Sequence, residues 1–154
     1  ERVLLRGTLP GRRAAAQVLD RLGQTPERPA LLAAYYFARG ELACCEEIGP
    51  VARPVLRDAL PLLDWRSAGA VALTLMRLGE PTTSPTLRAV AALLERIATL
   101  PDTRVDERLA GDDRRQTNAR EVSLAVSRAA DRRAARDLLG ALQAEAYRAS
   151  ERRR

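Results

Sequence analysis

The stretch SPTLRAVAALLERIATLP, residues 84–101, decides the fold class. Ser84 is a natural helix cap, and Pro85 belongs at a first helical position, where its missing N–H costs nothing. Leu87, Val90, Ala91, Leu94, Ile97 and Ala98 then recur at three- and four-residue spacing, which places them on one side of an α-helix. Pro101 closes the run.

The same grammar repeats upstream. Asp64 caps a predicted helix over Trp65–Leu78 that stops at Gly79, with Ala68, Val71, Leu75 and Leu78 facing inward. Pro54 and Pro61 confine a shorter helix to about Arg53–Leu60. Glu41–Ile48 is predicted helical and ends at Gly49-Pro50. Thr25 is expected to cap a helix that opens at Pro26, runs to about Arg39 and stops at Gly40. Its Leu31, Leu32, Tyr35, Tyr36 and Phe37 wrap much of its circumference, so neighbours are expected on two sides. The first helix is read over Arg12–Leu22, with Ala15, Val18, Leu19 and Leu22 as its apolar stripe and Arg12, Arg13 and Arg21 on the wet side.

Downstream, Asp102 caps a short piece over Thr103–Ala110. Residues 112–118 hold no large apolar residue and read as an exposed link. A long C-terminal helix follows, from near Asn118 to about Arg148. Its wheel is divided. Leu124, Ala135, Leu138, Leu142 and Ala146 fall on one side, while Val122, Val126 and Ala129 fall almost opposite. One amphipathic face does not account for both sets.

Composition agrees with helix. The 154 residues include 28 alanines and 24 leucines against 9 valines and 2 isoleucines, and aromatics are 3%. The expectation is an all-α fold of six to eight helices, an irregular multi-helix bundle or a short stack of helical hairpins, with an alanine-rich core. A single domain over 1–154 suffices for this length. The chain does not begin with methionine, which is consistent with excision from a larger protein. A tetratricopeptide-like register around Tyr36, Gly40 and Cys45 holds for less than one repeat before Pro50 and Pro54 break it, and it assigns no family.

Function is bounded more by exclusion than by motif. There is no histidine, and all 26 basic residues are arginine. Histidine acid–base or metal chemistry, lysine Schiff bases and a phosphate-loop lysine are therefore excluded within this chain. Cys44 and Cys45 are adjacent, lack redox spacing and sit beside Glu46 and Glu47. They are read as free thiols, at least one packed as a small hydrophobe, in the cytoplasm or another reducing compartment. Asp102 and Asp106 stand one turn apart, but Arg104, Arg108, Arg114 and Arg115 surround them, and a salt-bridged surface is the simpler reading. No catalytic, cofactor-binding or metal-binding residue is assigned, and no apolar run is long enough to suggest a membrane span.

What remains is surface. The net charge of +6 can attract nucleic acid or an acidic partner. Arg128, Arg132 and Arg136 recur one turn apart on the final helix. The leading expectation is a non-enzymatic helical interaction or adaptor domain. It would bind a protein partner, or a second copy of itself, through Val122, Val126 and Ala129 with Arg132, Arg133 and Arg136 as a rim. The alternative is a helical nucleic-acid-binding protein that uses Arg12, Arg13, Arg53, Arg57 and Arg128. A second alternative is a small helical enzyme built on Asp, Glu and Arg.

Overall fold

The computed structural model describes the backbone of residues 1–100 and 114–152, and the side chains of 1–100 and 128–152. Among these residues the fold is all-α, an irregular bundle of eight helices without a strand. The helices are α1 (Arg2–Arg6), α2 (Leu9–Arg21), α3 (Pro29–Arg39), α4 (Leu42–Ile48), α5 (Arg53–Ala59), α6 (Trp65–Arg77), α7 (Pro85–Ala98) and α8 (Arg114–Glu151). Short 3₁₀ turns at Pro50–Ala52 and Leu60–Leu62 flank α5. They keep the chain coiled across the two proline-bearing stretches where α-helical bonding is broken.

The predicted caps and stops hold in the middle of the chain. Asp64 Oδ1 accepts from the N–H groups of Arg66 at 2.9 Å and Ser67 at 3.1 Å, and these bonds hold its carboxyl below the ordinary range. Gly40 and Gly79 take left-handed φ values of +81° and +86°. At each glycine the chain turns back on the helix it has just left: Gly40 N–H donates to Phe37 O and Glu41 N–H to Tyr36 O, and Gly79 and Glu80 repeat the pattern with Met76 and Leu75.

Several boundaries differ from expectation. Helix α2 begins at Leu9, three residues before Arg12, because Thr8 Oγ1 accepts from Gly11 N–H at 3.4 Å. Helix α1 was not foreseen. Helix α3 starts at Pro29 rather than Pro26, since a proline forces the residue before it out of the helical region, and Arg28 is extended at φ −72°, ψ 126°. Ser84 stands at the N-cap of α7 without a capping bond, and its hydroxyl is hydrogen-bonded to Glu80. The long helix α8 begins at Arg114, inside the stretch read as a link, and continues to Glu151. The predicted piece Thr103–Ala110 lies outside the described residues.

The core is alanine-rich, as composition required. Ala16, Ala33, Ala34, Ala52, Ala59, Ala72 and Ala135 are buried, with Leu56, Leu75, Leu94 and Val71 as the largest fully enclosed side chains. Small residues let helix axes approach. At Gly69 of α6, an added Cβ would lie 2.8 Å from Cδ1 of Leu138 on α8. Helix α8 packs chiefly on α6 and α7, through Ala135, Leu138, Leu142 and Ala146, the face expected of its distal half.

Candidate functional site

A groove of about 580 Å³ lies between α2 and α6, floored by the end of α3. Leu9, Arg13, Ala16, Gln17 and Asp20 form the α2 wall, and Ser67, Ala70 and Val71 form the α6 wall. Phe37, Ala38, Leu42 and Leu63 supply apolar floor. The α2 residues recur at intervals of four, three, one and three, so one side of the helix faces the groove for about 16 Å.

A polar network closes one end. Tyr35 Oη donates to Asp20 Oδ1. Arg39 donates from Nη1 to Asp20 Oδ1 at 2.5 Å and from Nε to Glu41 Oε1 at 2.8 Å. The same Nη1 reaches Tyr35 Oη at 2.9 Å. The bond to Asp20, aided by burial, raises the Tyr35 hydroxyl above its ordinary pKa. The bond it donates to Glu41, followed by that to Tyr35, raises the Arg39 guanidinium, which remains a fixed cation. The three charges leave one net negative unit at this end. Arg13, exposed on the same wall, makes no ion pair among the described residues. The groove therefore carries a cation on its α2 wall and a net-negative network at one end, over an apolar floor.

Sequence reading missed this site. Tyr35 and Arg39 are one turn apart and Glu41 follows the Gly40 stop, so three of the four members were locally visible. Asp20 arrives from fifteen residues upstream through the packing of α2 on α3, which no local spacing encodes.

The predicted surface on α8 fares differently at each position. The side chains of Val122 and Val126 lie outside the described residues. Ala129 is exposed and lines a second groove with Arg132, Arg133 and Arg136. Two of those arginines are committed to the end of α7. Arg132 Nη1 donates to Leu100 O at 3.0 Å, and Arg136 Nη2 donates to Ala98 O at 3.3 Å. They satisfy carbonyls that a helix end leaves open and oppose its negative pole.

The arginines expected to contact nucleic acid differ in their surroundings. Arg12, read as a wet residue, is instead 2% exposed. Its Nε donates to Gly7 O at 2.9 Å and its Nη1 is buried without a partner, so it presents no guanidinium to solvent. Loss of hydration lowers its pKa, offset in part by the field of Asp58. Arg13 faces the groove. Arg53 turns toward Pro50 O and Gly79 O, and Arg57 is paired with Glu80. Arg128 is exposed on α8 and engaged in an interaction there.

Both cysteines are free thiols. Cys45 is fully buried against Ala33 O at 3.5 Å, and burial pushes its thiol up to about 11. Cys44 is half-buried. Among the described residues no cluster of Cys, Asp and Glu could hold a metal ion, and no helix is long and apolar enough to cross a membrane. No family model matches the chain, and neither a curated protein nor a solved structure matches it significantly.

Proposed function

We propose that this chain is a helical interaction domain, of the adaptor type, that receives a segment of a protein partner in the groove between α2 and α6. The carrying observation is the composition of that groove, with an apolar floor of Phe37, Ala38, Leu42 and Leu63, the cation of Arg13 on one wall and a net-negative network at one end. Such a lining offers contact area on the floor and orientation from the charges, which is the division of labour in protein recognition. The free, adjacent thiols favour work in a reducing compartment.

Nucleic-acid binding is the second reading. It is favoured by Arg88, Arg96 and Arg133, exposed cations of α7 and α8 that make no ion pair among the described residues.

Photo-crosslinking distinguishes the two. A crosslinker at Gln17 should capture protein, a crosslinker at Arg88 should not, and Ala70→Trp should abolish capture by filling the groove while helicity is retained. Capture of RNA or DNA from Arg88, unaffected by Ala70→Trp, would transfer the function to the second reading.

A further inference from the structure

The outer side of the α1–α2 hairpin carries a feature that neither the core nor the groove uses. Val3, Val18 and Leu22 are 51%, 53% and 62% exposed. They belong to one strip. Val18 and Leu22 are one turn apart on α2, Gly11 precedes them on the same side, and Val3 Cγ1 lies 3.6 Å from where a Cβ on Gly11 would stand. Ala14, also exposed, widens the strip. Large side chains at its ends and small ones in its middle make a shallow trough that a helix can enter closely.

Its charge is one-sided. Arg2, Arg6 and Arg21 are exposed, and none makes an ion pair or hydrogen bond among the described residues. The acids of the region are largely occupied, Glu1 with Arg28 and Asp20 with Arg39. Glu27, in the loop after α2, is the only acid of residues 1–28 without an ion pair. Other arginines of the molecule are paired, as at Arg57–Glu80, Arg66–Asp131 and Arg77–Glu46. Arg88, Arg96 and Arg133 are not, but among the described residues no apolar strip as exposed accompanies them. The hairpin is thus an apolar strip with a rim of unneutralised cations.

We infer that this face docks an amphipathic α-helix of a protein partner whose apolar side covers Val3, Val18 and Leu22 and whose flanks carry Glu or Asp against the arginine rim. A second copy of the chain is disfavoured, because two-fold pairing would set one arginine rim against another. A nucleic acid would use the cations and leave the strip in water. The face is separate from the groove, and filling the groove with Ala70→Trp should leave its binding intact, so the two readings fail independently.

The test uses a designed helical peptide of about 18 residues, about 27 Å long, with Leu and Ala on one side and Glu on both flanks. An isomer with Lys in place of Glu serves as its opposite. Fluorescence anisotropy with the 1–154 chain should show binding of the Glu peptide, weakened by salt, and binding of the Lys peptide at least about tenfold weaker. Val18→Glu and Leu22→Gln, both at exposed positions, should each abolish binding with unchanged circular dichroism. Arg6→Glu with Arg21→Glu should reverse the preference toward the Lys peptide. Equal binding of the two peptides, or binding indifferent to both Val18→Glu and Leu22→Gln, would overturn the inference. So would light scattering that shows a dimer dissolved by Leu22→Gln, or binding to phosphatidylserine vesicles or single-stranded DNA in preference to the Glu peptide.

Discussion

Arg57 holds the buried carboxylate of Glu80 with two parallel hydrogen bonds, Nε to Oε1 at 3.0 Å and Nη2 to Oε2 at 2.5 Å. Glu80 follows the left-handed turn at Gly79, so a single glycine brings its carboxylate back to Arg57 of α5. The planar fork of arginine fits this geometry, and the point charge of lysine does not. Arg57→Ala should destabilise the fold by about 2 kcal/mol, because Glu80 would stay buried without its main partner. Arg57→Lys should fall between wild type and Arg57→Ala. Urea denaturation of the three proteins checks the order.

Glu80 and Glu145 should govern part of the acid response. The bond from Arg57 holds Glu80 below the usual carboxylate range, and the bond from Arg152, with the field of Arg148, does the same for Glu145. A depressed folded-state pKa means that the unfolded chain takes up the proton first. The stabilisation is therefore complete above the unfolded value of about 4.3 and is lost as pH falls from there through the folded value. Denaturation midpoints measured from pH 7 to pH 2 should drop steeply over that interval. Glu80→Gln should lower stability at pH 7 and flatten the drop.

Much of the bundle was legible because its signals are local. Asp64, Gly40 and Gly79 act within one turn of themselves, and the period of Leu87, Val90 and Leu94 needs no partner to be seen. The start of α3 was misplaced because Thr25-Pro26 and Arg28-Pro29 present rival openings, and the effect of Pro29 on Arg28 decides between them. Arg12 was misassigned for a different reason. Its position on the α2 wheel is close to Ala16, and packing of α1 at Gly7 encloses a guanidinium that composition places in water. The groove depended on Asp20 meeting Arg39, a tertiary contact with no sequence period.

Gly140 and Gly69 both lie within helices but in different surroundings. A Cβ at Gly140 meets nothing within 4 Å, whereas one at Gly69 presses on Leu138. Gly140→Ala should raise stability by about 0.5–1 kcal/mol through helix propensity and reduced freedom of the unfolded chain. Gly69→Ala should gain less, since Leu138 must swing aside. Gly69→Val should lower stability by about 1–3 kcal/mol through overpacking. Thermal denaturation of the three variants ranks them.

Native alkylation should label Cys44 and leave Cys45 unmodified until the chain unfolds, because Cys45 is enclosed and its thiol is shifted up to about 11. Intact mass with iodoacetamide, with and without urea, reads one adduct against two. Cys45→Ser should cost about 1–3 kcal/mol, as a hydroxyl enters an apolar site whose single acceptor, Ala33 O, stands 3.5 Å from the sulfur.

The contact between Gly69 and Leu138 has a neighbour three residues back on α6, where Arg66 binds Asp131. Together they fix where α8 stops along its own axis. Sliding α8 by one turn would bring Leu142 to the glycine notch, and a leucine there fits as well as before. The same slide would bring Ala135 to Arg66 and leave the guanidinium facing a methyl group. The notch alone therefore tolerates more than one setting of the helix. The choice is made by Arg66 on Asp131, by Arg132 and Arg136 on the end of α7, and by the fully enclosed Ala135, whose place Leu139 would take. Together they act as the detents of a sliding rod, of which the exposed ion pair is the weakest. Reversing Asp131 to Arg should leave α8 helical and docked in its present setting, with only a small loss of stability.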